Sequence, residues 1–324
     1  MRTCQFMAIA FAALLCSLSN PSAAGEQKTC GLQRVAALDA DISRGALLIK
    51  IKIEGRETWV RVDTGSPIGM IDKAFAQELK LPLRSAREGA FYDAAGKSAR
   101  NFVVVHNLNL NGMVAEDVTF LVGGGSGGAS DVGGVFGADF LSAYDVELDL
   151  AHGKLNLFTQ DHCPGNVVYW TQDYDVVPFK IDGSLHATFM ADLDGQTMRA
   201  LLDTGATSTV LTSQVARHRF NFDPEAAGIK PDGSMYSGGG TELPFYLHRF
   251  GSLTIGGVQI RNPELKIIAD KTTRIIRDNT PKDPIQLGMT EETPLILGLN
   301  YLSKLRVYIA YGEHKVYFSA ANAQ

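Results

Sequence analysis

The sequence has no surplus of positive charge, few cysteines, histidines and tryptophans, and no long apolar run beyond its first two dozen positions. Lys and Arg total 30 against 35 Asp and Glu, a net charge of −5, so no general attraction to a phosphate backbone or an anionic lipid surface is available. Nucleic acid is therefore not an expected partner. The seven histidines, at 106, 152, 162, 186, 218, 248 and 314, show no H-x-x-x-H or H-x-H spacing and no neighbouring cysteine pair, and no metal and no cofactor is expected. His152-Gly153 and Glu313-His314 read as turn residues, and Trp59 and Trp170 as packing residues. Four cysteines in 324 residues exclude a disulfide-stapled miniprotein. With 45% hydrophobic and 20% charged residues, neither extended disorder nor a polytopic membrane protein fits.

What the sequence does have is glycine, 33 residues of it, with few helix-forming runs. That favours many short strands joined by tight turns, a mainly all-β chain, and the length suggests about two domains. Residues 1–24 read as a secretory signal: Arg2, an apolar stretch from Phe6 to Leu18, and the small residues Ser22-Ala23-Ala24 as cleavage site. An uncleaved anchor is the alternative, disfavoured because the polar Ser19-Asn20-Pro21 follows the apolar run. Cleavage leaves two cysteines, Cys30 and Cys163; in an exported chain they can pair, or remain two buried thiols. The expected location is outside the cytoplasm, periplasmic or secreted, with the bacterial periplasm favoured and no stable membrane insertion after signal removal.

The chain repeats itself. Glu54-Gly55 and Asp194-Gly195 each follow an alternating apolar segment, Ile49 to Ile53 and Phe189 to Leu193, and each is followed eight residues later by Asp-Thr-Gly, at 63–65 and 203–205. Each copy reads as a β-hairpin whose second strand delivers the aspartate. Val135-Phe136-Gly137-Ala138-Asp139 is echoed by Ile296-Leu297-Gly298-Leu299-Asn300, and the hairpin pattern at 146–158 by the one at 307–318. The second copy is longer, its extra residues placed near 221–233 and 270–292. The expected division is a lobe over 25–160, a connector over 161–175 around Cys163-Pro164-Gly165, and a second lobe over 176–324, with short helices near Asp72 to Lys80 and Thr212 to Arg219. The Gly-rich stretch 123–128 matches phosphate-loop and nucleophile-elbow patterns only because nearly any window of glycines does, and it reads as a surface loop.

One Asp-Thr-Gly is an ordinary turn; two in a repeated frame are a chemical signal. If the halves pack about a pseudo-two-fold axis, Asp63 and Asp203 face one another, cannot both ionise, and share a proton. Such a pair can take a proton from a water while donating one to a carbonyl oxygen.

In these residues the chain resembles the retropepsin and pepsin-like aspartic proteases, as two retropepsin-like halves fused in one chain. Leu201-Leu202-Asp203-Thr204-Gly205-Ala206-Thr207 is very similar to the active-site segment of retroviral proteases, and Ile296-Leu297-Gly298 to the family's second motif. The resemblance implies a bilobal acid-protease fold of two β-barrel-like lobes, a cleft that takes extended polypeptide, and a hairpin flap over the dyad. It implies Asp63 and Asp203 as catalytic residues, with Thr64, Gly65, Ser66, Thr204, Gly205 and Ala206 building the active-site turns. Gly137 and Gly298 would support those turns from behind, and Tyr92 and Tyr236 are flap candidates. Ser66 can hydrogen-bond a carboxylate and Ala206 cannot, so an optimum less acidic than that of gastric-type enzymes is expected. Both aspartates lie in one chain, so a monomer is expected. The alternatives to an endopeptidase are a non-catalytic peptide-binding module on the same fold, a hydrolase acting on a non-peptide bond, or a narrowly selective processing enzyme.

Overall fold

The computed structural model describes residues 31–85, 91–92, 98–123, 131–181, 185–236, 242–268 and 293–323. The expected signal, Cys30, the glycine run from 124 onward and the segment 270–292 lie outside them.

The hairpins form as the repeat predicts, and for a local reason. Glu54 and Gly55 have φ of 50° and 79°, and Asp194 and Gly195 have 47° and 78°, the left-handed pair that closes a two-residue hairpin with the twist its strands need. Leu48–Ile53 pairs with Arg56–Val62, and Ala187–Leu193 with Gln196–Leu202. In Arg56–Val62 the side chains of Thr58, Val60 and Val62 enter the lobe core while Trp59 and Arg61 lie on the opposite face.

Each second hairpin strand then gains a parallel neighbour from far along the chain. Val132–Phe136 runs beside Arg56–Val62, setting Phe136 opposite Val62; Leu295–Leu297 runs beside Gln196–Leu202, setting Leu297 opposite Leu202. All residues of these two short strands are buried, as apolar strands covered on both faces should be. Met70–Asp72 and Val210–Thr212 complete the pattern, each antiparallel to that inserted strand and parallel to a further one, Val118–Gly123 or Glu264–Ile268. The two expected helices follow directly. Lys73–Glu78 is capped by the Asp72 carboxylate, which accepts from the backbone N–H of Ala74 and Phe75, and Ser213–Phe220 is capped by the Thr212 hydroxyl.

The halves are joined by a six-stranded antiparallel sheet in the order Arg34–Asp41, Lys154–Phe158, Asp145–Asp149, Leu305–Ala310, Lys315–Ala320, Asp175–Ile181. The closing hairpins of the two copies thus pair with each other, Glu147 standing opposite Tyr308. The sheet buries charge, and every buried carboxylate in it is partnered. Glu147 takes two bonds from Arg306 at 2.6 and 2.8 Å, one from Asn156 at 2.7 Å and one from the Tyr169 hydroxyl at 2.8 Å. Asp145 meets His162 Nε2 at 2.6 Å. Unpaired, such groups would each cost several kcal/mol on the order of a desolvated ion; paired, they favour one register. His152 and Glu313 end short 3₁₀ turns, with Gly153 and His314 in the left-handed conformation just beyond, so both pairs are turn residues as expected. Among the described residues no helix is long and apolar enough to cross a membrane.

Candidate active site

Asp63 and Asp203 each emerge at the end of a hairpin strand, where the backbone is held by the inserted parallel strand. Asp63 N–H donates to the Phe136 carbonyl at 3.0 Å and Asp203 N–H to that of Leu297 at 3.1 Å. The two turns are then clasped across the lobes. Thr64 N–H donates to Thr204 Oγ1 at 3.1 Å and Thr204 N–H to Thr64 Oγ1 at 3.0 Å; each hydroxyl in turn donates across to a carbonyl, Thr64 to Leu202 at 2.7 Å and Thr204 to Val62 at 2.8 Å. Both threonines are fully buried, so these four bonds satisfy donors that water cannot reach.

The clasp brings the carboxyl groups together. A Cβ on Gly65 would lie 2.4 Å from Asp203 Cγ, and one on Gly205 would lie 2.2 Å from Asp63 Cγ, so each glycine is the gap that admits the opposite carboxyl. Gly65 N–H donates to Asp63 Oδ1 at 3.0 Å; Gly205 and Ala206 N–H donate to Asp203 Oδ1 at 2.8 and 3.2 Å. Burial pushes Asp203 up to about 7, aided by the negative charge of Asp63 and opposed by backbone donors and the charge of His186. Burial also raises Asp63, against the opposing charge of Arg61 and a hydrogen bond with Asp203. Burial and mutual repulsion of two carboxyl groups in reach of one another favour a single proton held between them.

Gly137 and Gly298 lie behind the turns, as the second motif implied. Their Cβ positions fall 2.5 Å from the Ile68 carbonyl carbon and from the Ser208 oxygen, so only glycine packs there. The residues after them continue the support: Ala138 N–H donates to Ser66 O at 2.7 Å and Leu299 N–H to Ala206 O at 2.8 Å. Asp139 accepts from Gly69 N–H at 2.8 Å, and Asn300, at the matching position, accepts from both the N–H and the hydroxyl of Thr209 at 2.8 Å.

One expectation is corrected. The Ser66 hydroxyl does not serve a carboxylate; it donates to the Ile68 carbonyl at 3.0 Å, because the turn through Pro67 folds that carbonyl back within reach. The two turns are therefore less different than Ser66 and Ala206 suggested. Tyr92 ends the strand Phe91–Tyr92, paired with Ser98–Ala99, and Tyr236 ends Gly233–Tyr236, paired with Glu242–Arg249. The turns beyond them, 93–97 and 237–241, and both tyrosine side chains lie outside the described residues. Cys163 is disulfide-bonded, to a cysteine outside the described residues.

His186 carries no signal in the sequence reading yet stands beside the site. It is buried, and its Nε2–H donates across the lobes to the Gly65 carbonyl at 2.9 Å. The repeat held a clue: the equivalent place in the first copy is Ala46, so a titratable group replaces a methyl just before the hairpin. Among the described residues no group of His, Cys, Asp or Glu could hold a metal ion.

A sequence model of the family described as Aspartyl protease matches residues 49–140 and 185–301, the two segments that carry the Asp-Thr-Gly turns. Among solved structures the chain is similar to an aspartic proteinase from Irpex lacteus, at 11% identity and a TM-score of 0.50, covering 89% of this chain and 97% of that one. It is also similar to Basic 7S globulin from soybean, at 11% identity and a TM-score of 0.49, covering 90% and 96%. No curated protein matches the chain.

Proposed function

The chain belongs to the aspartyl protease family and is a peptide-bond hydrolase, and on that premise we propose that it is an exported endopeptidase acting through Asp63 and Asp203. The reading is carried by one observation: the glycine of each Asp-Thr-Gly turn leaves the space that the other lobe's carboxyl fills. Ionised Asp63 takes a proton from a water held between the carboxyls, and protonated Asp203 donates to the scissile carbonyl oxygen. The resulting tetrahedral intermediate collapses as the amine leaves with a proton, with no covalent enzyme intermediate. Extended polypeptide is the substrate, and the chain acts as a monomer because it supplies both carboxyls itself.

Export is supported by the Arg2, Phe6 to Leu18 and Ser22-Ala23-Ala24 pattern and by the disulfide at Cys163, a bond that persists in oxidising compartments. We place the protein in the periplasm or outside the cell, with Cys30 as the partner of Cys163. The test is cleavage of an unstructured protein such as casein between pH 3 and 7 by the mature chain, beside Asp203→Asn. Activity lost by orders of magnitude in the variant is the expected result. Cleavage that survives the substitution, or no cleavage at any pH, would overturn the reading.

A further inference from the structure

Arg61 has no counterpart across the pseudo-axis. It lies two residues before Asp63, on the strand face that also carries Trp59 and turns away from the lobe core, so strand alternation places the guanidinium and the carboxyl of Asp63 on one side. Its Nε is buried and meets no hydrogen-bond partner among the described residues. Asp63 feels the charge of Arg61 but takes no hydrogen bond from its Nε, and two other carboxylates, Glu57 on the same strand and Asp131 just before the adjoining one, are engaged by Lys50 at 3.1 Å and by Arg44 through two bonds of 2.8 Å. Arg61 is flanked by Leu48 and Val135 on the adjoining strands, and Leu48 belongs to an apolar cluster with Ala46, Val132 and Trp59. A guanidinium with an unsatisfied buried donor and apolar neighbours is costly to hold unless an anion completes it.

The second lobe has Leu201 at the same offset from its aspartate. That side chain is fully buried with Val210 and Ile296, against Ala206, Met235 and Ile268. The two sides of the dyad are thus chemically unlike, one cationic and one apolar.

We propose that Arg61 is a specificity-determining residue: it receives the carboxylate of a Glu or Asp side chain flanking the scissile bond, with no cationic counterpart at Leu201 across the dyad. The inference rests on the endopeptidase reading. A guanidinium matches a carboxylate with two parallel N–H donors, a geometry that an amide of the same size cannot satisfy with a charge. A site built for such a partner rejects the uncharged isostere, because the donors are then left unpaired.

The experiment uses the full mature chain and fluorogenic peptides, identical but for Glu, Gln, Leu or Lys at each of the two positions flanking the bond, assayed at pH 5.5, where a substrate glutamate is ionised. At one of the two positions the wild type should cleave the Glu peptide about ten- to a hundredfold better in kcat/KM than the Gln peptide, the range of a charge-assisted hydrogen bond. Arg61→Leu should bring that ratio close to one while still cleaving the Leu peptide, Arg61→Lys should restore much of it, and Arg61→Glu should turn the preference toward Lys. A wild type that cleaves Glu and Gln peptides equally at both positions overturns the assignment without any variant having to fold. So does an Arg61→Leu variant that slows all peptides alike, since that would mean the charge acts on Asp63 alone. No cleavage of any peptide by the wild type would overturn the endopeptidase reading and this inference with it.

Discussion

At the scale of single residues, the site is built from gaps as much as from groups. Gly205 is where a methyl would strike the Asp63 carboxyl, 2.2 Å from its Cγ, so that the carboxyl itself must move aside. Gly205→Ala should therefore fold but separate the carboxyls, lowering kcat by about a hundredfold or more. Circular dichroism with a casein assay checks it, and retained activity would mean that the facing of the carboxyls is not what catalysis needs. His186 is a positioning residue of a different kind: it holds the Gly65 carbonyl, and its charge lowers the Asp203 pKa. His186→Phe should reduce kcat about tenfold, a mild misplacement rather than loss of a reacting group, with little change in KM. Removing the charge lets Asp203 keep its proton to higher pH, so the alkaline limb of the kcat profile should move upward. A limb that stays in place, or moves down, would count against the assignment.

At the scale of elements, the hairpins, their left-handed turns and both capped helices were legible, because their signals are local: Gly55 and Gly195 at the turns, Asp72 and Thr212 at the caps. The four-residue helices Ala138–Leu141 and Leu299–Leu302 were not, since one turn of helix has no periodicity to detect. Yet the second of these carries Asn300, whose carbonyl oxygen receives both donors of the fully buried Thr209. Asn300→Ala should cost about 2 kcal/mol, the penalty of leaving buried donors unpaired, read as a lower urea midpoint at unchanged slope. Because Thr209 continues the Asp203 turn, activity should fall at temperatures well below the unfolding transition. An unaffected midpoint would show that water or a neighbour replaces the amide.

At the scale of the whole molecule, the dyad exists only because each lobe supplies one carboxyl, and its titration is a property of the assembled chain. On the proposed mechanism, activity needs Asp63 ionised and Asp203 protonated, so the rate should rise from the acid side as the raised Asp63 ionises and fall again as Asp203 titrates near 7. Stability carries the same signature. With Asp203 raised from 3.8 to about 7, the folded state binds the proton more tightly than the unfolded state, so this group favours the fold at low pH and loses that contribution as pH rises through the interval. Asp203→Asn removes the slope: its melting temperature should gain on the wild type between pH 4 and 7 and then run parallel to it. Equal differences at pH 4 and pH 8 would refute the raised value.

The sequence by itself determined the parts that depend on neighbours along the chain: mainly β structure, two hairpins ending in Asp-Thr-Gly, the glycines of the second motif and the short capped helices. The repeat also made it legible that Asp63 and Asp203 would meet if the halves packed about a pseudo-two-fold axis through the two turns. The tertiary structure decided what depends on contacts between distant segments. It paired the closing hairpins into one sheet across the lobes, with Glu147 buried under Arg306, where the sequence showed only an alternating strand. It turned the Ser66 hydroxyl to a carbonyl, set His186 against Gly65, and left the buried Nε of Arg61, beside an apolar cluster, without a hydrogen-bond partner among the described residues. A side chain's chemistry is written in its identity, but the groups it meets more than a hundred residues away are selected by packing, and no local pattern records them.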